Sequence, residues 1–163
     1  MNTIALVGNP NCGKTTLFNA LTGTNQHVGN WPGVTVEKKE GQLKYKGTLY
    51  KVVDLPGTYS LGAYSEDEMV ARDYIVKESP DVVINVVDAT NIERNLYLTT
   101  QLMEMNTKVV IALNMMDEAK THKIEIDLEM LSKNLGIPVI ATVAAKREGI
   151  EELVEKAIAI INK

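Results

Sequence analysis

Residues 8–15 read Gly8-Asn9-Pro10-Asn11-Cys12-Gly13-Lys14-Thr15, the spacing G-x-x-x-x-G-K-[ST] of a phosphate-cradling loop. The flanks constrain the fold further. Thr3-Ile4-Ala5-Leu6-Val7 is an apolar run suited to a buried parallel strand, and Thr16 to Leu21 opens a helix with Leu17, Phe18 and Leu21 on one side. A strand, a glycine loop and a helix in that order put successive N–H groups and a helix N-terminus around one point, where an anion is stabilised. Glycine is needed because a Cβ would keep the backbone away from phosphate oxygens. Lys14 can reach the outer phosphates, Thr15 offers a hydroxyl to Mg²⁺, and Thr16 adds a second hydroxyl.

The 163 residues are the length of one domain with a single core. With 17 basic against 21 acidic residues there is no basic excess to hold nucleic acid. A single cysteine excludes an internal disulfide and suits a reducing compartment. No run is long enough to span a membrane, and with the first strand opening at Thr3 no secretory leader is expected.

Along the chain, apolar runs alternate with helical spacings. The stretch 21–41 is polar and reads as a long loop. A hairpin is expected over Gly41–Tyr45 and Thr48–Leu55, then a loop over Thr58–Ser65. A helix follows over Glu66–Glu78, with Ser65 as N-cap and Glu68 completing a capping box. Strands are expected at Val82–Val87, Val109–Leu113 and Pro138–Thr142. Helices are expected at Ile92–Met105, Leu128–Leu135 (capped by Asp127 and ended by Gly136) and Ile150–Ile161. The pattern predicts an α/β fold: a three-layer sandwich with a mostly parallel six-stranded sheet, one antiparallel edge strand and helices on both faces. Ligands of such sheets bind at the carboxyl ends of the strands. The phosphate loop, Asp54 and the stretch Asn114–Asp117 all fall there.

Those ends carry the chemistry. In Asp54-Leu55-Pro56-Gly57 a carboxylate can hold Mg²⁺ through water, and the Gly57 N–H can meet a terminal phosphate. In Asn114-Met115-Met116-Asp117 an aspartate can accept two N–H bonds from a guanine edge, which adenine cannot supply, and the asparagine can brace the loop. Gly33-Val34-Thr35 lies in the long loop, where the Thr35 hydroxyl is a candidate third Mg²⁺ ligand that closes on a triphosphate. Asn11 offers a carbonyl oxygen, a hard ligand for an alkali cation such as K⁺. His27 and His122 are too few and too far apart for a transition-metal site.

Together these residues resemble a Ras-like, translation-factor-related GTPase over nearly the whole chain. The segments Gly8–Thr15, Asn30-Trp31-Pro32-Gly33-Val34-Thr35-Val36-Glu37 and Asp54-Leu55-Pro56-Gly57-Thr58-Tyr59-Ser60-Leu61 are similar to the cytosolic G domain of FeoB-type ferrous-iron transporters. The resemblance implies one G domain over 1–163, GTP and GDP as ligands and Mg²⁺ as cofactor. It implies slow GTP hydrolysis, K⁺ held by Asn11, and catalytic roles for Asn11, Lys14, Thr35 and Gly57. It also implies a helical and a membrane-spanning region beyond Lys163 as partners, small cytosolic regulators, a homo-oligomeric parent protein, and a place on the cytoplasmic face of the membrane. Three positions depart from the general GTPase pattern. Met115 replaces a base-packing lysine. Val143-Ala144 replaces a Ser-Ala pair, leaving Ala144 to offer the base an N–H, with Val143 and Ala145 beside it in the base-binding set. Thr58 replaces the glutamine that orients the attacking water. Rival readings are a soluble GTPase of ribosome assembly or RNA modification, a nucleotide-gated module without turnover, and a P-loop ATPase or kinase.

Overall fold

The computed structural model describes residues 1–62 and 64–163, so Ala63, in the loop expected over 58–65, lies outside the described residues. Seven strands, β1 (Asn2–Gly8), β2 (Gln26–Asn30), β3 (Glu37–Tyr45), β4 (Thr48–Asp54), β5 (Val82–Asp88), β6 (Val109–Asn114) and β7 (Val139–Ala141), form one sheet in the order β2-β3-β4-β1-β5-β6-β7. From β4 to β7 every pairing is parallel, whereas β3 runs antiparallel to both β2 and β4. Among the described residues the sheet therefore has seven strands where six were expected; one strand, β3, runs against the rest as expected, but it stands second from the edge, with β2 outside it. The additional strand is β2, inside the stretch expected to be a loop. All five of its residues are exposed, so it has no apolar alternation to announce it, and its conformation comes from backbone pairing with β3.

Helices α1 (Lys14–Thr22), α2 (Glu66–Glu78), α3 (Ile92–Glu104), α4 (Met116–Thr121), α5 (Leu128–Leu135) and α6 (Ile150–Ile161) cover the sheet. The alternation in β1 sorts the two main core clusters. Ile4 and Leu6 pack with Leu17, Phe18, Leu153 and Ala157 of α1 and α6. Ala5 and Val7 pack with Ala71, Tyr74, Leu98 and Leu102 of α2 and α3. Burying both faces of a strand requires the unbroken apolar runs that the sequence shows in β1, β5 and β6. Among the described residues no helix is long and apolar enough to cross a membrane.

The register aligns the polar ends of the central strands. Gly8 pairs with Val86, Leu6 with Asp54, and Asp88 with Asn114. Four neighbouring strands thus deliver the phosphate loop, Asp54, Asp88 and Asn114 to one edge of the molecule.

Candidate functional site

The loop after β1 turns through two left-handed residues, Asn11 (φ 66°) and Gly13 (φ 89°), before α1 opens at Lys14. A Cβ on Gly13 would stand 2.2 Å from Asn114 Nδ2, so the position accepts only glycine. Asn9, Pro10, Asn11, Gly13, Lys14, Thr15, Thr16 and Gly57 line one cleft. Gly57 is brought there by the Thr58 N–H donating to the Gly8 carbonyl at 3.0 Å, which leaves the Pro10 backbone only 3.3 Å from where a Gly57 Cβ would be. Of the Asp54–Gly57 segment, Asp54 and Leu55 are buried while Pro56 and Gly57 are half-buried.

Lys14 and Asp54 are both nearly buried, and the ammonium pairs with the carboxylate at 2.5 Å. A charged pair at this depth exists because each member compensates the other. The oxygen donors here, the Asp54 carboxylate and the exposed Thr15 hydroxyl, fit a hard divalent cation such as Mg²⁺. The exposed Asn11 side chain on the cleft offers the oxygen an alkali cation needs. Cys12 is buried behind the loop, and burial pushes its thiol up to about 11, with the nearby Lys14 ammonium opposing the shift in part. It is a packing residue of the loop.

The base side is organised by Asn114. Its Nδ2 donates to the Cys12 carbonyl at 3.1 Å, and its Oδ1 accepts from the Thr142 hydroxyl at 3.1 Å and the Ala144 N–H at 3.0 Å. One buried carboxamide therefore ties the phosphate loop to the loop after β7. This bond commits the Ala144 N–H and corrects the expectation that Ala144 presents it to a base. Val143 and Ala144 are buried and Ala145 is exposed, so the donor left for a ligand is that of Ala145. Asp117 stands in the first turn of α4, which Met115 enters with φ 61°. Its Oδ1 accepts the Glu118 N–H at 2.9 Å and its Oδ2 pairs with Lys146 Nζ at 3.3 Å.

Sequence reasoning overlooked Lys146 and Thr142. Lys146 carries a readable signal, since Ala144-Ala145-Lys146 follows the last strand directly. Thr142 carries none, because only the register of β7 brings its hydroxyl to Asn114. Asp67, at the start of α2, also lines the phosphate cleft and was likewise overlooked.

Thr35 is not brought to this cleft. Gly33, Val34 and Thr35 sit in a turn between β2 and β3 that is closed by the Trp31 N–H donating to the Val36 carbonyl at 2.9 Å. Gly33 and Thr35 are exposed there and none of the three lines the cleft. Thr58 points away from it: the side chain is buried and its hydroxyl donates to the Ser60 carbonyl at 2.6 Å.

Comparison with known proteins places this geometry in a family. The Fe(2+) transporter FeoB of Methanocaldococcus jannaschii is 62% identical over 160 residues, which are 98% of this chain and 24% of that protein. The Escherichia coli Fe(2+) transporter FeoB is 54% identical over 155 residues, 93% of this chain and 20% of that protein. The chain thus spans between a fifth and a quarter of these relatives. The solved cytosolic domain of the T. maritima FeoB iron transporter in its GMPPNP form superposes with a TM-score of 0.97 at 54% identity, over 100% of this chain and 65% of that one. The family model of ferrous iron transport protein B matches residues 2–157, and the chain belongs to that family, whose N-terminal G domain is a P-loop GTPase fold.

Proposed function

We propose that this domain binds GTP with Mg²⁺, hydrolyses it slowly, and regulates ferrous-iron passage through a longer membrane protein from its cytoplasmic face. The observation that carries the reading is the Asn114 bridge, which makes the phosphate loop and the base loop one rigid unit. The FeoB relatives support the iron role and the larger parent chain. GMPPNP- and GDP-bound relatives support the guanine nucleotide.

In this reading the residues divide the work. The loop from Gly8 to Gly13 wraps the phosphates with the backbone N–H groups of its residues other than Pro10, which has none. Lys14 leaves Asp54 for the β- and γ-phosphates, which frees the carboxylate and the Thr15 hydroxyl for the metal. Mg²⁺, when bound, neutralises charge on the β- and γ-phosphate oxygens. The Gly57 N–H reads the γ-phosphate, and Thr35 joins it when its loop closes. Asp117 and the Ala145 N–H select guanine, with Lys146 holding the Asp117 carboxylate in place. Because the Thr58 hydroxyl is turned to Ser60, no side chain at that position orients the water. Turnover is then on the order of the unassisted Ras rate, about 10⁻³ to 10⁻⁴ s⁻¹.

Asn11 supplies the remaining catalytic element in this reading. Its carbonyl oxygen holds K⁺ beside the phosphates, where a positive charge offsets the charge that develops in hydrolysis. The test is phosphate release from GTP with Mg²⁺ in KCl and in NaCl at equal ionic strength. The expected result is faster release in KCl, no release after chelation of Mg²⁺, and loss of the salt difference in Asn11→Ala with GDP binding retained. Equal rates in the two salts would remove the K⁺ role, and release that survives chelation would remove the Mg²⁺ reading.

A further inference from the structure

Between residues 23 and 36 the only buried residue is Trp31; Val34 and Val36 are half-buried and the rest are exposed. Strand β2, just before it, contributes no buried side chain. The excursion that carries Thr35 is therefore held by backbone pairing of β2 with β3 and by one fully seated side chain, the indole, with Val34 and Val36 packed at the rim of the same cluster. That seat is on α2. Trp31 meets Tyr74 edge-on, with ring centroids 5.5 Å apart and planes at 71°, and Lys38 Nζ stands 4.7 Å from the indole centroid. Yet the indole N–H is buried with no hydrogen-bond partner among the described residues. A buried donor without an acceptor opposes the packing that buries it, so release of the indole into water regains a hydrogen bond that the seat does not supply.

While Trp31 is seated, Thr35 is exposed and outside the phosphate cleft. We propose that the Trp31–Tyr74 contact is a latch that holds Thr35 away from the nucleotide, and that closure of the loop on a triphosphate unseats the indole. The proposal rests on the GTP reading above. It makes Trp31 and Tyr74 positioning residues, which set how far triphosphate binding is opposed while leaving diphosphate binding alone.

Trp31 is the sole tryptophan, so its emission reports the latch directly. The experiment records intrinsic fluorescence of the protein with Mg²⁺ and either GDP or GMPPNP, with binding of each confirmed by displacement of a fluorescent GDP analogue. GMPPNP is expected to shift the emission to longer wavelength as the indole enters water, and GDP to leave it in place. Tyr74→Ala removes the seat and should raise affinity for GMPPNP relative to GDP by about two- to tenfold, the range expected of an edge-on aromatic pair. Tyr74→Phe, which keeps the ring, should restore the original ratio. Identical emission with both nucleotides bound would overturn the latch in favour of a fixed pivot, whether or not Tyr74→Ala folds. An unchanged affinity ratio in a folded Tyr74→Ala would overturn it as well. Failure of both nucleotides to displace the analogue would instead reject the GTP reading, and the latch with it.

Discussion

Asn114 occupies the point where two loops more than a hundred residues apart in sequence meet, bonded to Cys12 on one side and to Thr142 and Ala144 on the other. All four residues are buried. Truncation leaves a carbonyl, a hydroxyl and an N–H without partners, each costing about 1–3 kcal/mol when water cannot reach it. Asn114→Ala should therefore lower stability by at least about 2 kcal/mol in urea denaturation and weaken nucleotide binding more than tenfold. A stability loss below about 0.5 kcal/mol would show that the bridge is dispensable. The sequence showed Asn114 as a brace, because it is a carboxamide at a strand end, three residues before the aspartate assigned to the base. It did not show which N–H the brace consumes. Burial of Ala144 against exposure of Ala145 depends on the direction of a short turn, which residue types do not encode.

The elements that could be read in advance are those with a local cause. Helix α2 begins where expected, and the Ser65 side chain accepts the Glu68 N–H at 3.1 Å. The other half of the expected box differs, because the Glu68 carboxylate accepts from the Ser60 hydroxyl at 2.9 Å and thereby ties the preceding loop to the helix. Asp127 likewise caps α5 through the Met130 N–H. Ser65→Ala should cost about 1 kcal/mol, seen as a lower denaturation midpoint with an unchanged slope; no change would mean that the three acidic residues of the first turn suffice. The elements missed in the sequence have no local cause. Strand β2 is a solvated edge specified by its neighbour. Helix α4 is six residues long and enters from Met115 in the left-handed region, a conformation no propensity favours for methionine.

At the scale of the whole molecule, two buried groups in different layers set an alkaline limit. The thiol of Cys12 is raised by burial from 9.0 to about 11. The phenol of Tyr74 is raised by burial, with Glu78, Glu40 and Asp81 adding to the shift, from 10.0 to about 12. Both folded values exceed the unfolded ones, so above pH 9 the native state holds more protons than the unfolded state and stability falls as pH rises. The melting temperature should be level below pH 9 and decline between about pH 9 and 12. Cys12→Ser should delay the onset of the decline towards pH 10, and an onset unmoved by that substitution would assign the limit to other groups. Selection of a guanine nucleotide by this architecture turns on one carboxylate, that of Asp117. Charge-assisted hydrogen bonds contribute about 1.5–3 kcal/mol each, so two of them to the base correspond to about a hundredfold or more in affinity. The direct measurement is a titration of the wild-type protein and of Asp117→Asn with GDP, ADP and xanthosine diphosphate in the presence of Mg²⁺. The wild type should take GDP over ADP, and Asp117→Asn should lose GDP about a hundredfold while gaining the xanthine nucleotide. Equal wild-type affinity for GDP and ADP, or unchanged GDP affinity in the variant, would contradict guanine selection by Asp117.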